Sequence, residues 1–224
     1  MKPEATQFHY FSQIHLYTLA VSVIFCAFLL ILPKIIKSIN LNKYGTFLGV
    51  LILGVKLFDS VYRVTHEFEP VYNVFPIHLC NFAAIAAGLY LIFKSRLLFN
   101  LTYFLSFGAA FALVLPGVTV YYNSFYVYVF MTAHALEFVA VIYGFIYLKE
   151  KIDFQGYLFS TVVLIGLFIY AAVYNLIFDV NAMFLKHYIA DMVSFIKPFS
   201  LYVVLLITSM SFIMFLMYLP FRKK

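Results

Sequence analysis

Apolar stretches of about 20 residues recur along this chain with only short polar gaps between them, and that recurrence limits what it can fold into. In hydrocarbon every backbone N–H and C=O must find a partner inside the protein, so the spanning structures are helices or closed barrels. A barrel needs strict alternation of apolar and polar residues, which is absent here. With 65% hydrophobic and 11% charged residues and a mean hydropathy of +0.99, the chain falls outside water-soluble domains, in which about 25% of residues are charged. The fold class is therefore all-α, a polytopic membrane helix bundle forming one transmembrane domain over residues 1–224, placed in the cell membrane.

Seven spans are expected, over about 12–32, 45–62, 76–93, 97–115, 124–148, 157–178 and 195–219. Loop charges orient them. Lys34, Lys37, Lys43, Lys94, Arg96, Lys149, Lys151, Arg222, Lys223 and Lys224 fall on one side, and Lys2, Arg63, Lys186 and Lys197 on the other. Ten cations against four put the N-terminus outside and the C-terminus in the cytoplasm. The net charge of +6 is then topological and does not call for nucleic acid. Glu4 precedes the first apolar run without a small-residue cleavage pattern, so the first helix is expected to stay. Trp is absent, which leaves Tyr121, Tyr122, Tyr126 and Tyr128 outside, and Tyr143 and Tyr147 inside, as interfacial anchors. The segment 179–194, with Lys186, His187 and Asp191, is expected to form a short interfacial helix or a lid.

Ionisable groups inside a membrane cost about 2.5–3.5 kcal/mol each on insertion scales, so each needs a partner or a purpose. Lys56, Asp59 and Arg63 share one helical face with alternating charge and can neutralise one another. His134 and Glu137, three residues apart, share a face of the fifth span. Glu137 either accepts the ring N–H of His134 or pairs with Lys56. Phe75-Pro76-Ile77-His78-Leu79-Cys80-Asn81 opens the third span. Pro76 suits the first helical turn, where its missing N–H would be unpaired anyway. Cys80 then sits about one turn inside, where the partial positive charge of the helix end favours thiolate. His78 lies nearly opposite Cys80 around a regular helix and is not its natural base. Cys26, mid-span among apolar neighbours, has no such setting. Arg63, Asp59, His78, Cys80, His134, Asn175 and Asp179 all fall in the outer half or near the midplane, which suggests a cavity open to the outer leaflet.

At the Pro76-Ile77-His78-Leu79-Cys80 packet the sequence resembles the YwaF family of bacterial integral membrane proteins. The likeness continues through Arg96-Leu97-Leu98-Phe99, Leu115-Pro116 and Ala133-His134-Ala135, and fades between Asn175 and Leu185, where Asn181 matches part of an Asn-Tyr pair. That family is related to transmembrane protein 164, an acyltransferase that builds polyunsaturated ether phospholipids. The resemblance implies Cys80 as nucleophile and His134 as base. Asn81, Ala135 and Ala182 depart from the family's pattern.

Two functions compete. One is acyl transfer between membrane phospholipids, without cofactor or metal, in which Cys80 and His134 carry the chemistry. His78, Asn81, Lys56, Asp59, Arg63, Glu137, Asn175 and Asn181 would support the site or bind substrate. The other is a proton-coupled transporter or ligand-binding protein built on Lys56, Asp59, His134 and Glu137. A retinal protein is excluded because the last span has no mid-membrane lysine.

Overall fold

The computed structural model describes residues 4–190 and 193–222; Lys2, Asp191, Lys223 and Lys224, counted above, lie outside the described residues. The chain runs through helices α1 (Gln13–Ile35), α2 (Leu41–Thr65), α3 (Val71–Val74), α4 (Leu79–Phe93), α5 (Arg96–Leu105), α6 (Phe107–Val114), α7 (Ser124–Ile146), α8 (Phe154–Phe178) and α9 (Phe199–Tyr218). The starts of α2, α7 and α8 carry side chains that satisfy free backbone amides. Asn40 accepts from Lys43 N–H at 3.1 Å, Asn123 from Phe125 N–H at 2.9 Å and Asp153 from Gly156 N–H at 2.6 Å.

Five helical stretches, Gln13–Ile35, Arg96–Val114, Ser124–Ile146, Phe154–Phe178 and Phe199–Phe221, are long and apolar enough to cross a membrane. The chain is thus a multi-pass membrane protein. The other two expected spans depart from that simple form for a reason. α2 is 25 residues long but carries Lys43, Lys56, Asp59 and Arg63, while α4 is only 15 residues long. α4 is mostly buried among its neighbours, while α2 buries one face, including Asp59, against α4 and α7 and leaves Phe47, Val50, Leu57 and Val61 exposed.

α7 is the hub. It packs against α1, α2, α4, α5 and α6, and 67% of its most apolar 18-residue window is buried, against 11% for α9. Tyr126 and Tyr143 of α7 are buried in the bundle, and Tyr143 donates to the Leu41 carbonyl at 2.6 Å. The expected fourth span is two helices. Ser106 Oγ donates back to the Tyr103 carbonyl at 2.7 Å where α5 gives way to α6, a bond that competes with the helical ladder.

α2 and α4 approach so closely at Gly49 and Gly88 that neither position has room for a Cβ. A Cβ on Gly49 would lie 2.6 Å from the Gly88 carbonyl oxygen, and one on Gly88 would lie 3.0 Å from that of Gly49. Small residues permit such backbone contact where the hydrophobic effect does not drive helices together. Gly49→Ala is expected to lower stability by about 1–3 kcal/mol, since backbone atoms must move. Gly54→Ala, on the same helix but with open space at its Cβ, should leave it unchanged. Thermal unfolding in detergent separates the two.

A short antiparallel pair, β1 (Thr6–Gln7) with β2 (Val120–Tyr121), ties the N-terminal arm to the α6–α7 connector. Glu67 reinforces that end by accepting from the Tyr122 and Asn123 backbone N–H groups at 2.7 and 3.2 Å.

Candidate functional site

The first turn of α4 differs from the expected one. Pro76 follows α3 in non-helical chain, His78 is extended (φ −118°, ψ 156°) and occupies the cap position, and the helix begins at Leu79. Phe75, which precedes a proline, is biased to extended backbone and breaks the helix there. Cys80 is consequently the second helical residue, closer to the free-amide end than a start at Pro76 would place it. Its thiol is free, and the Asn81 N–H, which donates to the His78 carbonyl at 3.0 Å, lies against the sulfur. Cys26 is also free, so the two cysteines are not bridged.

Cys80 lies in the electrostatic field of Glu137, Lys56 and Asp59, and His134 in that of Asp59, Lys56 and Arg63. Three mutually packed helices, α2, α4 and α7, thus bring these groups to one place. Lys56 Nζ pairs with Asp59 Oδ2 at 2.7 Å, and both side chains are largely buried. Arg63 does not complete the expected triad. Its Nε and one terminal nitrogen bind the two oxygens of Glu69 at 2.8 and 2.5 Å, and the same nitrogen donates to the Asn73 carbonyl at 3.4 Å. Glu69 was absent from the sequence-derived site; the acidic pair Glu67 and Glu69 just past α2 was its one signal.

His134 and Glu137 are not bonded to each other. His134 Nδ1 donates to the Phe130 carbonyl at 2.8 Å, which leaves Nε2 with the lone pair and no hydrogen bond among the described residues. Glu137 is 1% exposed, and its Oε2 is buried without a hydrogen-bond partner. It forms no ion pair with Lys56 within 4.0 Å, although Lys56 acts on it through space. Cys80 and His134 share the Lys56–Asp59 pair as neighbours but make no hydrogen bond to each other among the described residues. An unpaired buried acceptor costs about 1–3 kcal/mol. Glu137→Leu is therefore expected to raise stability by about that amount, measured as thermal unfolding, while turnover falls; a destabilised variant would mean the carboxyl is satisfied in the membrane.

The remaining expected site residues divide. His78 packs its ring against Phe184 at 5.7 Å. It lines a cavity of about 280 Å³ together with Arg63, Asn73, Ile77 and Asn181. Neither Cys80 nor His134 lines that cavity. Asn81 is buried beside Cys80. Asn175 is committed to the fold: its amide nitrogen donates to the Ala182 carbonyl at 3.0 Å and its oxygen accepts from the Ala182 N–H at 2.7 Å. Asn181 accepts from the Lys186 and His187 N–H groups at 2.9 and 3.0 Å, closing the loop after α8. That loop holds a 3₁₀ turn at Ala182–Phe184. Lys186 pairs with Asp179 and holds its carboxyl below the usual carboxylate range. No cluster of three or more His, Cys, Asp or Glu able to hold a metal occurs among the described residues.

The profile of the TMEM164 family matches residues 10–218. An uncharacterized protein of Treponema pallidum (strain Nichols) is 29% identical over 212 residues, covering 95% of this chain and 89% of the relative. No solved structure matches the chain.

Proposed function

The chain belongs to the TMEM164 family, and from that membership together with the polar cluster around Cys80 we propose a membrane-embedded phospholipid acyltransferase acting by transacylation in the cell membrane. The observation that carries the reading is Cys80 itself, a free thiol at the amide end of α4, beside a buried carboxyl and within one polar cluster with an imidazole whose Nε2 is open.

Cys80 gives up its proton to His134 Nε2 through the site, and the thiolate attacks the acyl ester carbon of a donor phospholipid. The C–S bond forms and the ester C–O bond breaks, with the proton passing to the leaving lysophospholipid oxygen. An acceptor lipid hydroxyl then attacks the thioester, His134 taking its proton. A new ester C–O bond forms, the thioester C–S bond breaks, and His134 returns the proton to the departing sulfur, which restores the thiol. The amide end of α4 supports negative charge as it develops at the sulfur. Asn81, the neighbouring residue, contributes the oxyanion contact in this reading. The cavity beside His78 and Arg63 supports the headgroup of a lipid in the outer leaflet; with Asn175 committed to Ala182, that residue holds the loop and does not bind substrate.

The test supplies purified protein with a phospholipid labelled in its acyl chain and traps the acyl-enzyme by denaturation. A hydroxylamine-sensitive label on Cys80, absent from the serine variant, is expected. Labelled product formed without passage through Cys80 would sink the reading. The transport reading draws on the buried, unpaired Glu137 beside the Lys56–Asp59 pair. It is distinguished by uptake that survives Cys80→Ser and fails in Glu137→Gln.

A further inference from the structure

At the end of the bundle opposite Cys80, the starts of α5 and α8, the α7–α8 connector and the end of α9 surround a cavity of about 790 Å³. Four cations line it: Arg96, Lys149, Lys151 and Arg222. Its two carboxylates, Glu150 and Asp153, balance only part of that charge. Asp153 caps α8 with one oxygen and pairs with Arg96 through the other at 2.6 Å. Burial pushes the Glu150 carboxyl above its ordinary range. Lys149, Lys151 and Arg222, all exposed, are left without an ion pair among the described residues.

The two lysines stand on a fixed connector. Glu150 N–H donates to the Gly144 carbonyl at 3.0 Å, and buried Asn100 reaches across to the Lys151 carbonyl at 3.3 Å and the Asp153 N–H at 3.2 Å. The wall beside the cations is aromatic. Tyr218 stacks on Tyr157 at 5.2 Å, and Phe221 on Phe145 at 5.9 Å with the rings nearly parallel. Cations above an aromatic wall, at the level where apolar helices end, match a phosphate joined to a glycerol and acyl chains. A soluble phosphate would use the cations and leave the wall idle.

We propose that this cavity binds the headgroup of an anionic phospholipid in the leaflet at that face, a lipid separate from the acyl donor and independent of Cys80 chemistry. Each Lys or Arg near an anionic leaflet adds enough attraction for a several-fold gain in affinity. Native mass spectrometry of the purified full chain, titrated with phosphatidylglycerol or phosphatidylcholine, reads it. Phosphatidylglycerol is expected to bind about tenfold or more tightly than phosphatidylcholine. Lys149→Gln/Lys151→Gln/Arg222→Gln should remove that preference. Lys34→Gln/Lys37→Gln/Lys43→Gln, which deletes the same charge from exposed positions around the α1–α2 connector, should keep it. Three results overturn the proposal: equal binding of the two lipids, equal loss in both triple variants, which marks diffuse loop charge, or full displacement of phosphatidylglycerol by millimolar inorganic phosphate, which marks a soluble ligand.

Discussion

On the proposed mechanism, Cys80→Ser is expected to lower acyl transfer by a factor on the order of 10³ or more with the fold intact, because residues that act as the reacting unit lose nearly all of the chemical rate when one is removed. Serine fits the space of the thiol, so unfolding should not move. Its hydroxyl ionises far less readily than a thiol, so the attacking anion forms far less often. His134→Gln should cost rate as well, but with a changed pH profile, since the group lost is the proton carrier. Turnover in the serine variant within tenfold of the parent would remove Cys80 from the mechanism.

Lys56→Met is the largest expected loss of stability. Lys56 and Asp59 pair at 2.7 Å with side chains 15% and 6% exposed. Removing one partner of a buried pair leaves an uncompensated charge and costs about 3–5 kcal/mol. Replacing both with apolar residues is often neutral. Lys56→Met/Asp59→Leu is therefore expected to recover most of the loss. Thermal unfolding of the single and double variants in one detergent gives the coupling. A double variant as unstable as the single would mean the pair also holds the surrounding helices through contacts other than charge. Activity should fail in both, because the pair is the charged neighbour common to Cys80 and His134.

What the sequence made legible follows the range of the interactions concerned. The long apolar runs announced the helices, and local chemistry singled out Lys56, Asp59, Cys80, His134 and Glu137 before their packing was seen. The partner of Arg63 was hidden because Glu69 reaches it only after the chain reverses past Thr65, and helical spacing describes nothing beyond a helix end. The role of Asn175 was hidden by the same limit, since its amide is claimed by a backbone seven residues on, across a turn. The start of α4 was misplaced because a proline suits a first helical turn and a post-helical break equally well, and only His78's extended backbone decides between them. Residue type alone marks Tyr126 and Tyr143 as interfacial anchors and says nothing of what packs on them. Burial of each depends on helices distant in sequence.

The contact between Gly49 and Gly88 also has a mechanical meaning. Two backbones that touch cannot be prised apart by a few ångströms without breaking the seam along its length, so α2 and α4 move as one body that carries Lys56, Asp59 and Cys80 together. Whatever breathing admits an acyl chain must therefore take place against that body. Under the proposed transacylation, a crosslink placed across the α2–α4 seam is expected to leave turnover intact.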